Sequence, residues 1–234
     1  MVLVIIGTGG FGREVLWAAN ASIPSTSLPD ILFGIGSESS TAFFVDDNVE
    51  LHGSTVCDVE VIGKIEDVKE WAGTRPIKFI CGVGSPKLRR KFVRRVENIF
   101  GRGFFDTVVA DSVNKSRFVE IGTGSVVCAG TNITTQVKIG EHVNINLDCT
   151  VGHDVTIGDF TNISPGVHIS GYVNVGEGVD IGTGANILPH VNIGRNAIIG
   201  AGACVTKDVP ENALAVGVPA KNKERIDGRW QDIA

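Results

Sequence analysis

Two adjacent side chains in the stretch "TVGHDVTIGDF" are able to move a proton: His153 and Asp154. A carboxylate beside an imidazole fixes its tautomer and steadies the cation formed when the ring accepts a proton, the usual arrangement of a general base. In an extended strand neighbouring side chains point to opposite faces, so the pair can cooperate only if the chain turns there. A surface histidine in a turn is the plainer alternative. Either way these residues interrupt a run of Ile, Val and Gly in which neither belongs to a core.

A second constellation lies at the start, where "VIIGTGGFGREVLWAA" carries Gly7, Gly9 and Gly12 in GxGxxG order. Placed after a strand and before a helix, such glycines let backbone amides approach a phosphate at the helix N-terminus. The acid expected about 20 residues on in a dinucleotide site is out of register. Asp30 falls in a Pro/Ser-rich stretch, and the better candidates, Asp46 and Asp47 after "AFFV", come later. Asp46 is placed for a ribose or base contact, although "VDDN" is also a good turn, and Ser85 and Arg89 after "IKFICGV" would border the same crevice. A nucleotide sugar, a nicotinamide cofactor and a loop that only makes a tight turn all remain open.

The elements around these residues follow two grammars. Up to about residue 113, short apolar runs ("VLVII", "AFFV", "IKFICGV", "FFDTVV") alternate with helical patterns ("REVLWAANA", "KIEDVKEWA", "KLRRKFVRR"). That alternation predicts a small parallel sheet with helices, a half-Rossmann α/β unit over 1–113. From residue 121 the period is six: fifteen successive positions, Ile121 to Val205, are all Ile or Val, and the next residue is Gly in eight of them. A six-residue period with a β-branched anchor predicts a parallel β-helix of hexapeptide repeats over 114–234. Three hexads close one triangular coil, and the fifteen should give five coils.

An 18-residue coil sets neighbours. His153, third in its hexad, should point out of the prism one rung from Gly171; Asn162, last in another hexad, should stand on a different corner and meet His153 only across a subunit boundary. His142, His190, His168 and His52 read as surface or rung decoration. Ser164 and Cys149 are out of register with His153 as nucleophiles, and Cys149 should point inward. Stacking brings no His or Cys above another His, so no catalytic metal is expected.

The net charge of -5 with interspersed acids and bases excludes a phosphodiester-binding stripe, and hence a nucleic-acid polymer. The basic run "KLRRKFVRR" reads as the solvated face of an amphipathic helix. "MVLVIIG" is too short for a membrane span and lacks a basic leader, so a cytoplasmic protein is expected. Five scattered cysteines support neither disulfides nor zinc. The stretch from Asn20 to Val45, with "SIPSTSLPD", is long for a connection and reads as a lid or insertion.

Together, "VIIGTGGFGREV", "FFVDDN", the hexads, "VGHDVTIGDFTNISPGVHISG" and "AVGVPAK" resemble the NeuD/PglD-like sugar acetyltransferases over roughly residues 1–222. The resemblance implies a left-handed β-helix and a homotrimer, with acetyl-CoA in the groove between two prisms and the nucleotide in the N-terminal half. By it His153 is the general base, Asp154 its orienting acid and Gly171 the amide that holds the acetyl carbonyl. Ala201 is a further amide contact to CoA, and Gly217 to Lys221 close the groove. Gly9 and Gly10 form the phosphate loop, and Asp46 and Asp47 meet the base. Two departures are Phe11, where relatives often carry a histidine, and Asn162, where some carry a second one. The implied activity is acetyl-CoA-dependent N-acetylation of a UDP-, dTDP- or GDP-linked 4-amino-4,6-dideoxy sugar. Alternatives are O-acetylation of a sialic acid, a non-catalytic nucleotide-sugar sensor, and an NAD-linked oxidoreductase.

Overall fold

The computed structural model describes residues 1–20 and 41–223. The Asn20–Val45 insertion thus lies, from residue 21 to residue 40, outside the described residues.

The apolar run Val2–Ile6 (β1) is the centre of a three-stranded parallel sheet, with Thr41–Val45 (β2) on one side and Ile77–Cys81 (β5) on the other. Val4, Ile5, Phe44, Phe79 and Ile80 are wholly buried, as continuous Val/Ile/Phe strands must be when both faces are covered. Gly10–Asn20 (α1) follows β1 and buries Val15, Leu16 and Ala18. A small hairpin, Thr55–Val56 (β3) with Val59–Glu60 (β4), and a short helix, Val68–Ala72 (α2), fill the connection to β5. The helix Pro86–Phe100 (α3) starts at Ser85, whose hydroxyl accepts from the Leu88 N–H, and stops at Gly101.

The six-residue grammar yields three flat faces, with strands on each following one another every 18 residues. One face carries Asn144–Ile145, Asn162–Ile163 and Asp180–Ile181, the second Thr150–Val151 and His168–Ile169, the third Thr156–Ile157 and Asn174–Val175. Of the fifteen Ile/Val anchors only Ile121, near the base, is less than fully buried. The remainder stack with the small or β-branched residues four positions on, such as Val143, Cys149 and Ala185, into one apolar axis. The whole is a left-handed parallel β-helix of about 6 turns.

Five coils is therefore an undercount. Val108–Val109 and Asn114–Lys115 already ladder with Val126–Val127 and Asn132–Ile133, a turn below the first clean hexad. The period is hidden there because the lowest layer is not an interior: Lys115 stands at the anchor position and is exposed. At the other end the coil shortens, pairing Ile198 with Leu214, and Leu214–Val216 folds back against Lys221–Lys223. Val108, Ala110, Val126 and Cys128 share an apolar cluster with Leu3, Val15 and Leu16, so the α/β unit packs directly on the first face of the prism.

The basic helix is more than a solvated face. Arg89 points inward and is wholly buried, Arg90 pairs with Glu177 on the prism, and Arg95 pairs with Asp47 and Glu66.

Candidate active site

His153 occupies the corner between the second and third faces, and its side chain is 52% exposed. Each corner needs one residue in the left-handed region to turn the chain, and at this corner it is Asp154, with φ +58°. That turn swings the carboxylate back onto its neighbour: His153 Nδ1 lies 2.9 Å from Asp154 Oδ2. Since a carboxylate only accepts, Nδ1 carries the hydrogen and the lone pair sits on Nε2.

One rung on, the backbone beneath the ring is Gly171. A Cβ there would lie 2.6 Å from Cε1 and 2.7 Å from Nε2 of His153, so the imidazole rests on the bare peptide. The Tyr172 N–H donates to the His153 carbonyl at 3.0 Å, locking the rungs together, while the Gly171 N–H donates to no described residue. The corner thus offers a proton acceptor beside a backbone amide that no described residue engages. The ring of Tyr172 meets His153 edge-on at 5.0 Å and stacks on His190 at 4.9 Å, an aromatic wall that sequence reading missed. Its signal was the 18-residue spacing of Asp154, Tyr172 and His190 at one corner position.

Ala201 is exposed on a different corner, between the first and second faces, and its N–H likewise donates to no described residue. Gly217, with φ +100°, accepts from the Cys204 N–H through its carbonyl, and Lys221 is exposed on the last strand. These residues and Gly171 do not share an edge of one prism.

The second constellation forms a cavity of about 480 Å³ at the carboxyl ends of β1, β2 and β5, lined by Gly7, Gly9, Asp46, Asp47, the loop Gly82–Ser85, and Leu88 and Phe92 of α3. Crevices at that end of a parallel sheet are where nucleotides bind. Gly12 is required for the turn itself, because a Cβ there would fall 1.9 Å from the Gly7 carbonyl oxygen. Gly9 and Gly10 are open to solvent, and Gly10 begins α1. Asp46 organises the rim: Oδ2 accepts from Thr8 N and Oγ1 at 2.9 and 2.7 Å, and Oδ1 from Asn48 N at 3.0 Å. Burial alone would raise its pKa, yet these hydrogen bonds from Asn48 and Thr8 hold it below the usual carboxylate value. Asp47 accepts two hydrogen bonds from Arg95 at 2.7 and 2.8 Å at the cavity mouth.

Several expectations are corrected. Arg89 does not border the crevice as a ligand group: it is wholly buried and its five N–H donors are all spent on carbonyl oxygens. Phe11 faces the other way, half-buried in the cluster with Ala129 and Leu147, and does not line the cavity. Asn162 stands on a flat face rather than a corner, donating to Asp180 Oδ1 at 2.9 Å beneath Gly84. His142 is not surface decoration but is buried between Phe105 and Phe160, and burial pushes its pKa down to about 4. Cys149 does point inward, its thiol pushed up to about 11 by burial, which makes it a poor nucleophile. Among the described residues no three His, Cys, Asp or Glu side chains converge as a metal site, and no helix is long and apolar enough to cross a membrane.

Residues 2–96 match the PglD N-terminal domain family. Among solved structures, a variant of the perosamine N-acetyltransferase from Caulobacter crescentus, in complex with CoA and GDP-perosamine, is 30% identical with a TM-score of 0.81, covering 96% of this chain and 98% of that one. The acetyltransferase domain of PglB from Neisseria gonorrhoeae, in complex with acetyl coenzyme A, is 29% identical with a TM-score of 0.79, covering 95% and 98%. WeeI from Acinetobacter baumannii is 28% identical with a TM-score of 0.77, covering 95% and 100%. No curated protein sequence matches the chain.

Proposed function

Because this chain belongs to the PglD/NeuD-like sugar acetyltransferases, we propose that it transfers acetyl from acetyl-CoA to the 4-amino group of a nucleotide-linked 4-amino-4,6-dideoxy sugar. The observation that carries this is the corner at residue 153: a half-exposed imidazole held through Nδ1 by Asp154 and resting on Gly171, which leaves Nε2 as its proton acceptor.

The chemistry follows from that geometry. As the acceptor nitrogen attacks the thioester carbonyl, Nε2 of His153 takes its proton, and Asp154 steadies the resulting imidazolium. Charge building on the carbonyl oxygen is met by the Gly171 N–H, a donor that needs no reorganisation because the rung holds it. The C–S bond then breaks and the imidazolium returns a proton to the departing thiolate. Gly7 to Gly10 offer the phosphate-binding turn, and Asp46 and Asp47 the polar rim for ribose or base. The GDP-perosamine held by the Caulobacter relative supports an amino-sugar acceptor.

The reading requires an assembly. The crevice loop at Gly84 rests over Asn162 on the first face, whereas His153 projects from the opposite corner. A nucleotide sugar bound in the crevice therefore meets the base of another subunit, and amides on separate corners, Gly171 and Ala201, come together only between two prisms. The assembly that the resemblance implies is a homotrimer.

Purified protein given acetyl-CoA and a panel of amino and hydroxy nucleotide sugars should release thiol with the amino acceptors. Turnover with hydroxyl acceptors alone would replace this reading by O-acetylation. His153→Ala should lower turnover by about two to four orders of magnitude with an unchanged melting curve.

A further inference from the structure

Arg89 spends all five of its N–H donors on backbone carbonyls that belong to both halves of the molecule. Nη1 donates to Val83 O at 2.8 Å and Gly84 O at 2.7 Å, the loop that lines the nucleotide crevice. Nε donates to His142 O at 2.8 Å, and Nη2 to Phe160 O at 2.8 Å and Thr161 O at 3.1 Å, which lie on consecutive coils of the prism. Asn144 of the first face adds a second donor to Val83 O at 3.2 Å. Gly84 lies over Asn162, whose Oδ1 a Cβ at residue 84 would meet at 4.0 Å, an ordinary van der Waals contact.

A wholly buried guanidinium is a costly way to fill space, since apolar packing of equal volume commonly serves stability as well or better. What the planar fork supplies is direction: five fixed donors admit one relative placement of their acceptors. From this geometry we propose that Arg89, assisted by Asn144, is a positioning residue that sets the angle of the nucleotide crevice on the prism. The proposal rests on the acetyltransferase reading above. Under that reading the sugar must reach His153 of another prism, so a small rotation of the loop is magnified at the reacting nitrogen. The acetyl-CoA contacts at Gly171 and Ala201 lie on prism corners and do not depend on the loop.

The test uses the full chain with Arg89→Lys, which keeps charge but cannot serve five carbonyls, and Asn144→Ala, which removes only the second donor on Val83. With active sites titrated, Arg89→Lys should raise KM for the nucleotide sugar about tenfold or more, misplacements of this kind being expensive. Asn144→Ala should move the same constant in the same direction by a smaller factor, and KM for acetyl-CoA should stay within about twofold in both. A role confined to holding the fold lowers the active fraction and leaves both KM values in place; that result, or equal rises in both, overturns the proposal. Amide hydrogen exchange across Gly82–Ser85 provides a readout independent of activity, and faster exchange there than in the rungs is expected. If the wild-type chain acetylates no nucleotide amino sugar, the functional reading falls, while unchanged exchange at Gly82–Ser85 in Arg89→Lys still refutes the clamp by itself.

Discussion

Two adjacent side chains cooperate at residue 153 because one of them is left-handed. The φ of +58° at Asp154 turns its carboxylate toward the ring, which an extended backbone would prevent. Gly171 completes the arrangement by having no side chain, and this gives a sharp expectation. Gly171→Ala places a Cβ 2.6 Å from Cε1 of His153. The ring is the far end of a half-exposed side chain and swings away, so the melting temperature should change little. Under the proposed mechanism turnover should nevertheless fall by about 100-fold, because His153 is displaced from the acceptor nitrogen. Parallel melting curves and steady-state rates check this; a full-rate, normally stable variant would show that the ring need not rest on the peptide.

At the scale of elements, the corners obey a rule that the apolar period alone does not express. The fourth residue of each hexad from 121 to 199 has positive φ, glycine at some corners but Gln136, His142, Asp148, Asp154, Phe160, Tyr172, His190 and Asn196 at others. The fold imposes this conformation on large residues, and their side chains then stack along the corners. His142 is carried in this way between Phe105 and Phe160, against α3, where its Nδ1 has no partner. Burial lowers its pKa from 6.5 to about 4, with Arg89 contributing in the same direction. Between those values the unfolded chain binds a proton at this residue that the folded chain refuses, so stability rises with pH across the window. Acidification from about pH 7 to pH 4 should cost on the order of 3 kcal/mol through this group. Denaturant titrations of wild type and His142→Gln as a function of pH should show that part of the slope absent in the variant.

For the whole molecule, the proposed function makes activity a property of the assembly, because the crevice and His153 lie on opposite sides of one prism. Light scattering should give a trimer. Two inactive proteins, His153→Ala and a variant emptied at the nucleotide crevice by Thr8→Ala with Asp46→Ala, should regain activity when dissociated and reassembled together, because mixed trimers pair an intact crevice with an intact base. Absence of recovery in verified mixed trimers would place both halves of the site within one chain.

The sequence by itself determined the β/α alternation, the prism and the outward corner at His153, because periodic burial leaves a periodic trace and a polar residue breaks it visibly. It could not count the lowest rung, where Lys115 ends the interior and the period fades with it. Nor could it reveal that Arg89 belongs to the join between domains, that Phe11 turns from the crevice, or that His142 is buried. Each of those depends on which residue far along the chain lies opposite: Arg89 meets Phe160 and Thr161 only after the α/β unit has docked. Long-range packing of that kind has no local period, so only the tertiary structure decided it.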